Sequence, residues 1–338
     1  MPVKVGIGLS GGVDSAATAA ILREQGYDVI GYTMVLGRSG EDSSLAEARE
    51  AASSLGIELV VCDFSVEWRE KVVGDICRTY RSGRTPNPCV RCNETVKLSL
   101  LPQRAFDDGC TYFATGHYAR VVRRSGGGVR LLRAVDRSKD QSYFLYRVSP
   151  GILSRMIFPL GGMFKSDVRR FAGERGLAPA ARGDSQDFCA GDPKSFAFAE
   201  DRPGDIVDLS GRVLGRHRGY WHYTVGMRKG LGIGGGIPYY VVRLNAERNE
   251  VVVAFKEQSL VNEFAVGDCR WLCPQEELEA ASCAGALNVK VRSAGEPKGP
   301  VSFEAGVCRA GNAISGVAPG QSAVFYVGEE VLGGGEIM

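Results

Sequence analysis

Between the apolar run Val3 to Leu9 and a helical pattern from Ala16 to Gln25 stands the hexapeptide Ser10-Gly11-Gly12-Val13-Asp14-Ser15. A buried strand that turns through glycines straight into a helix aims backbone N–H groups and the helix N-terminus at one point, an arrangement suited to phosphate. A Ser/Asp helix cap accounts for any one of these residues, but not for the whole hexapeptide. The segment lacks the Gly-Lys-Ser/Thr ending of a Walker A loop, and Gly6 and Gly8 lack the third glycine of a dinucleotide fingerprint. Val29 to Met34, a helix over Leu45 to Leu55, and Glu58 to Val61 continue the alternation, which is the order of a parallel sheet wrapped by helices. Tyr112 to Ala114 adds a strand ending at Thr115-Gly116-His117, placing His117 at the carboxyl edge of the sheet where such folds bind ligands.

At 338 residues the chain passes the ~250–300 at which a single core stops growing, and 44% hydrophobic content suffices for more than one domain. From Pro150 to Ala199 the pattern is mostly helical, clearest from Lys165 to Gly173. After about Asp205 the texture changes to short β-rich runs: Tyr239 to Leu244, Val251 to Phe255, Asn288 to Val291, Val301 to Phe303 and Ser322 to Val327. The expected division is 1–201, 202–262 and 263–338. Gly333-Gly334-Gly335 reads as a frayed tail. With no signal-peptide layout and no apolar stretch of about 18 residues, a cytoplasmic protein without membrane contact is expected.

In such a protein the ten cysteines stay reduced, so paired ones point to catalysis or metal binding rather than to structure. Cys62, Cys77, Cys110, Cys269, Cys273, Cys283 and Cys308 lack a motif and read as small hydrophobes. Cys89 and Cys92 follow Pro86-Asn87-Pro88, whose prolines are expected to hold the chain extended and present both thiols from a loop. Cys189 closes another polar segment, Asp184-Ser185-Gln186-Asp187-Phe188-Cys189.

Net charge is only +2, so a nucleic-acid partner has to be sought in local clusters. From Arg120 to Lys139 run seven Lys/Arg residues against one acid, Asp136, and phosphate contact is one use for them. Arg212 to Lys229 carries five more, with Tyr220, Trp221 and Tyr223 interleaved as candidate base-stacking platforms. Taken alone, each run reads more readily as a solvated face or hairpin edge, and His217 and His222 read as surface residues.

The hexapeptide resembles the PP-loop of ATP pyrophosphatases. With Thr85 to Asn93, Ala114 to Arg120, Lys139-Asp140-Gln141-Ser142, Asp184 to Cys189, Tyr223 to Gly232 and Ala318 to Ser322, in that order, nearly the whole chain resembles the tRNA-specific 2-thiouridylase family. The resemblance implies an α/β fold: a Rossmann-like PP-loop parallel-sheet domain of the adenine nucleotide alpha hydrolase type, then two small β domains, the last a β-barrel. It implies a tRNA-uridine 2-sulfurtransferase acting on the wobble uridine of tRNAs for Lys, Glu and Gln, with ATP and Mg²⁺.

Residue by residue, it implies ATP contacts at Gly8, Leu9, Ser10, Gly11, Gly12, Val13, Asp14, Ser15, Met34 and Gly116, with Asp14 also on Mg²⁺. tRNA contacts are implied at Asn87, Pro88, Cys89, His117, Lys139, Asp140, Gln141, Arg292 and Gln321. Cys189 would carry a persulfide from a sulfurtransferase, and Cys92 would attack it. Cys89 stands where the family often has aspartate, so Cys89, Cys92 and Cys189 also form a candidate ligand set for a 4Fe-4S cluster carrying the sulfur. Two other functions compete: a PP-loop ligase adenylating a small substrate, and a non-catalytic RNA-binding redox sensor.

Overall fold

The computed structural model describes residues 2–38, 41–124, 128–177, 189, 191–234 and 236–338. The chain forms two compact units: Met1–Val72, Cys89–Ala190 and Glu329–Val331 make the first, and Val73–Pro88, Gly191–Gly328 and Leu332–Met338 the second.

In the first unit β1 (Lys4–Gly8), α1 (Val13–Glu24), β2 (Asp28–Val35), α2 (Glu41–Leu55) and β3 (Leu59–Asp63) follow the expected alternation. With β4 (Tyr112–Ala114) and β7 (Met156–Ile157) the strands line up β3-β2-β1-β4-β7, every pair parallel. Val5, Ile7, Ala16, Ala19, Leu22 and Val29 fill the core beneath α1. Because β1 sits between β2 and β4, the turn after Gly8 and the turn after Ala114 open at neighbouring strand ends, where the sheet order reverses and ligands bind. β5 (Ala119–Arg123) and β6 (Val129–Arg133) form a hairpin, and Glu330–Val331 pairs with β6.

In the second unit β8 (Gly204–Val207), β9 (Val213–His217), β10 (Tyr240–Asn245) and β11 (Glu250–Ala254) form a sheet ordered β10-β11-β8-β9. The remaining strands are β12 (Leu260–Trp271), β13 (Asn288–Lys290), β14 (Val301–Glu304), β15 (Val307–Ser315), β16 (Ser322–Val327) and β17 (Glu330–Ile337), ordered β13-β16-β17-β12-β15-β14. Phe264, Leu287, Val289, Val301, Phe325 and Ile337 are among their core residues.

Three expectations need correction. Gly333 to Gly335 is a paired, mostly buried part of β17 rather than a frayed tail. A Cβ at Gly335 would lie 2.5 Å from the Gly267 oxygen, so glycine lets the two backbones close. His217 is 4% exposed, its Nε2 lying 3.1 Å from the Asn249 oxygen. Tyr220, Trp221 and Tyr223 are buried as well; Trp221 stacks on Phe198 with centroids 3.8 Å apart, so these rings pack the interior and do not offer faces to bases.

Candidate active site and tRNA-contact residues

The loop after β1 is arranged as an anion cradle. Gly11 has φ +77°, and a Cβ there would lie 2.5 Å from the Glu47 Cβ, so both conformation and space favour glycine. Gly12 opens outward, with only the Ser10 hydroxyl near its missing Cβ. Ser15 Oγ donates to the Gly12 oxygen at 2.9 Å and accepts from the Ser10 N–H at 3.2 Å, which fixes the turn. Gly8, Leu9 and Val13 frame it, and Met34 sits half-buried near the end of β2. Across from the loop, a Cβ at Gly116 would lie 2.9 Å from the Asp14 carbonyl carbon.

Asp14 is the charged centre of this region. Its carboxylate accepts from Lys165 Nζ at 2.7 Å on both oxygens and from the Tyr118 hydroxyl at 2.9 Å. Lys165 is 6% exposed, and its buried ammonium has the Asp14 carboxylate as ion-pair partner. His117 is 8% exposed, and its Nδ1 lies 2.8 Å from the Thr115 hydroxyl. Burial, reinforced by the Lys97 ammonium, holds its pKa well below the usual histidine value.

The thiols sit differently from the expectation. Pro88–Cys92 is a short helix, not an extended loop; Pro88 takes the first helical position, where a missing N–H costs nothing. Cys92 is therefore 5% exposed and Cys89 is half-buried, while Cys189 is exposed. Burial pushes the Cys92 thiol up to about 12, opposed by Lys97 and assisted by Cys189 and Cys89. Cys89 is raised by burial and then by Cys189. The three thiols thus lie within electrostatic reach of one another, and all are free. Arg38 donates to the Cys189 carbonyl. Asp184 to Phe188 lies outside the described residues.

The basic run of the first unit is largely balanced by carboxylates. Arg120 and Arg137 pair with Glu329, Arg130 pairs with Glu330, and buried Arg133 meets Asp140 at 3.3 Å. Asp140, its side chain 1% exposed, also accepts from the Ala134 and Ser142 N–H groups. Gln141 Oε1 accepts from the Tyr118 N–H at 2.9 Å. Lys139 is half-buried at the end of the 137–139 turn.

In the second unit, Gln321 donates to the Thr85 and Pro86 oxygens at 3.2 and 2.7 Å, and Asn87 reaches the Ser322 hydroxyl at 3.4 Å. Four of the residues implied to meet tRNA are in this unit, and Asn87, Pro88 and Gln321 are gathered together there. Arg292 stands elsewhere, its guanidinium on the Gly316 and Val225 oxygens.

Family models match the chain from end to end: a tRNA methyl transferase HUP domain over residues 3–190, a tRNA methyl transferase PRC-barrel domain over 197–255 and an aminomethyltransferase beta-barrel domain over 261–337. A protein of Trichormus variabilis named tRNA-specific 2-thiouridylase MnmA is 42% identical, with 99% of this chain and 98% of the relative aligned. One of Acidithiobacillus ferrooxidans with the same name is 41% identical over 98% and 97%. The chain belongs to the tRNA-specific 2-thiouridylase family. Its fold is the PP-loop parallel-sheet domain followed by two small β domains, the last a β-barrel.

For a 2-thiouridylase, Lys165 and Tyr118 are the side chains that the sequence motifs left without a role. One signal for Lys165 was available: a cation at the first position of a helix opposes the helix dipole and calls for a local anion, which Asp14 supplies.

Proposed function

We propose that this protein uses ATP to replace the 2-oxygen of a tRNA uridine by sulfur, with the wobble uridine of tRNAs for Lys, Glu and Gln as target. The supporting observation is that Cys189, far along the chain from Cys89 and Cys92, lies within electrostatic reach of both. A ligase for a small substrate has no use for such a thiol set, and a redox sensor has no use for the anion cradle.

The cradle fits ATP: glycine leaves open space at Gly12, and Gly116 admits close approach to Asp14. Asp14 also fits a Mg²⁺ ion carried mainly by phosphate oxygens, since such ions take one or two protein carboxylates. Bound there, Mg²⁺ would neutralise phosphate charge. Among the described residues no group of three or more His, Cys, Asp or Glu is placed to hold a metal, and no step is assigned to an iron-sulfur cluster.

The uracil 2-oxygen attacks the α-phosphate, releasing pyrophosphate and leaving an adenylated carbon two. Cys92 then attacks the inner sulfur of a Cys189 persulfide loaded by a sulfurtransferase. A Cys92–Cys189 disulfide forms and hydrosulfide departs. Hydrosulfide adds to carbon two, AMP leaves, and a thiol reductant restores both cysteines. Burial keeps Cys92 protonated at rest, so its proton passes to the departing sulfur during the attack. Asn87, Pro88 and Cys89 are assigned to the neighbourhood of the target base, and His117, Lys139, Asp140, Gln141, Arg292 and Gln321 to tRNA contact. The functional divisions are 1–201, 202–262 and 263–338. Among the described residues no helix is long and apolar enough to cross a membrane.

The test is nucleoside mass spectrometry of tRNA incubated with ATP, a persulfide donor and either wild type or Cys92→Ser. Formation of 2-thiouridine with one AMP per sulfur by wild type alone is expected. Wild-type yield from Cys92→Ser overturns the thiol scheme.

A further inference from the structure

The turn 136–141 is tied to Asp14 by two separate hydrogen-bonded arms. In the first, Asp136 Oδ1 accepts from the Ser138 N–H at 3.1 Å and its hydroxyl at 2.7 Å, while Oδ2 accepts from the Lys165 N–H at 3.0 Å. Lys165 continues to Asp14 through its ammonium at 2.7 Å. In the second, Gln141 holds Tyr118 at both ends of its peptide: its Oε1 accepts from the Tyr118 N–H at 2.9 Å and its N–H donates to the Tyr118 oxygen at 2.8 Å. Tyr118 continues to Asp14 through its hydroxyl at 2.9 Å.

Neither arm has much slack. Tyr118 is 3% exposed and packs with Ala17, Ala134, Leu160 and Val168. Val135 N–H donates to the Gly161 oxygen at 2.9 Å, and Gly161 lies so close to β5 that a Cβ there would lie 1.7 Å from the Ala119 oxygen. At the far end of the turn, Asp140 is fixed by Arg133, Ala134 and Ser142. A displacement of the turn therefore reaches the carboxylate in the phosphate cradle through well-packed groups rather than through free side chains.

We propose that Asp136 and Tyr118 are positioning residues that make nucleotide chemistry at Asp14 responsive to tRNA docking on the 137–141 turn. This rests on the assignment of Lys139, Asp140 and Gln141 to tRNA contact. Docked tRNA sets the turn, the turn sets Lys165 and the Tyr118 hydroxyl, and these set the Asp14 carboxylate that faces the phosphates. The device couples the docked turn to the geometry in which the uracil oxygen meets the α-phosphate. Asp136 and Tyr118 need touch neither nucleotide nor RNA.

Asp136→Asn removes one of two carboxylate acceptors, Tyr118→Phe removes only a hydroxyl, and the double variant breaks both arms. For each, AMP formation is measured with and without saturating tRNA, together with ATP affinity in the absence of tRNA and the affinity for tRNA. Each single variant is expected to lose about tenfold of the tRNA-stimulated rate and the double about a hundredfold, with both affinities within threefold of wild type. Tyr118→Phe retains the ring, so its result stands even if Asp136→Asn fails to fold. Stimulation by tRNA equal to wild type in Tyr118→Phe and in whichever Asp136 variant folds would overturn the proposal. So would a loss of ATP affinity without tRNA that accounts for the loss of rate. If wild type makes no AMP on tRNA, the functional assignment fails instead.

Discussion

The phosphate loop and the thiol helix meet the same requirement, placing a reactive group, in opposite ways. Around Asp14 charge is present and balanced: a buried ammonium and a phenol already hold the carboxylate. Around Cys92 charge is withheld, since burial favours the neutral thiol. In the proposed scheme one region is ready for a polyanion before it arrives, and the other stays inert until a persulfide stands beside it. An enzyme handling activated sulfur gains from that division, because a resting thiolate is the form that oxidises.

The sharpest break of this comparison would come from alkylation. At pH 8, iodoacetamide followed by peptide mass spectrometry is expected to modify exposed Cys189 more than about a hundredfold faster than Cys92. Equal rates would mean that Cys92 is not shielded. Next, Asp14→Asn takes away the carboxylate while leaving its shape, and AMP formation on tRNA should fall by about a hundredfold while Cys189 alkylation stays unchanged. A parallel change at the thiol would show that the two regions are not separable.

A smaller effect is expected from Gly116→Ala, whose Cβ would press on the Asp14 backbone: a loss of ~1–3 kcal/mol, read from denaturant midpoint and ATP affinity. The smallest concerns His117, held neutral in the fold. Its depressed pKa contributes stability that is present above the unfolded value of about 6.5 and lost as pH falls below it, so the denaturation midpoint of wild type should drop on acidification more than that of His117→Gln.

The turn from β1 into α1 was legible because its determinants are local: strand, glycines and helix occupy one short stretch, and the parallel sheet follows from the alternation around it. The basic runs misled because their counter-charges come from elsewhere in the chain. Glu329 and Glu330 neutralise arginines two hundred residues earlier, and Phe198 covers Trp221. Pro88 misled for a different reason. A proline both stops and starts helices, and only the structure shows that it starts one at the thiols. The clamp on Asp14 escaped notice because Lys165 carries no motif; its place at a helix start calls for an anion, but only the fold identifies Asp14 as that anion.

The segmented make-up of the two units bears on how the protein is born. Residues 73–88 leave the ribosome before most of the first unit and long before the rest of the second, while the first unit awaits Glu329–Val331. At about 5–20 residues per second the nascent chain spends roughly 10–50 s with Thr85 and Pro86 lacking the Gln321 amide that later caps their oxygens. Completion of either unit is thus deferred until residues 329–338 are made, and a chain terminated before them leaves both unfinished.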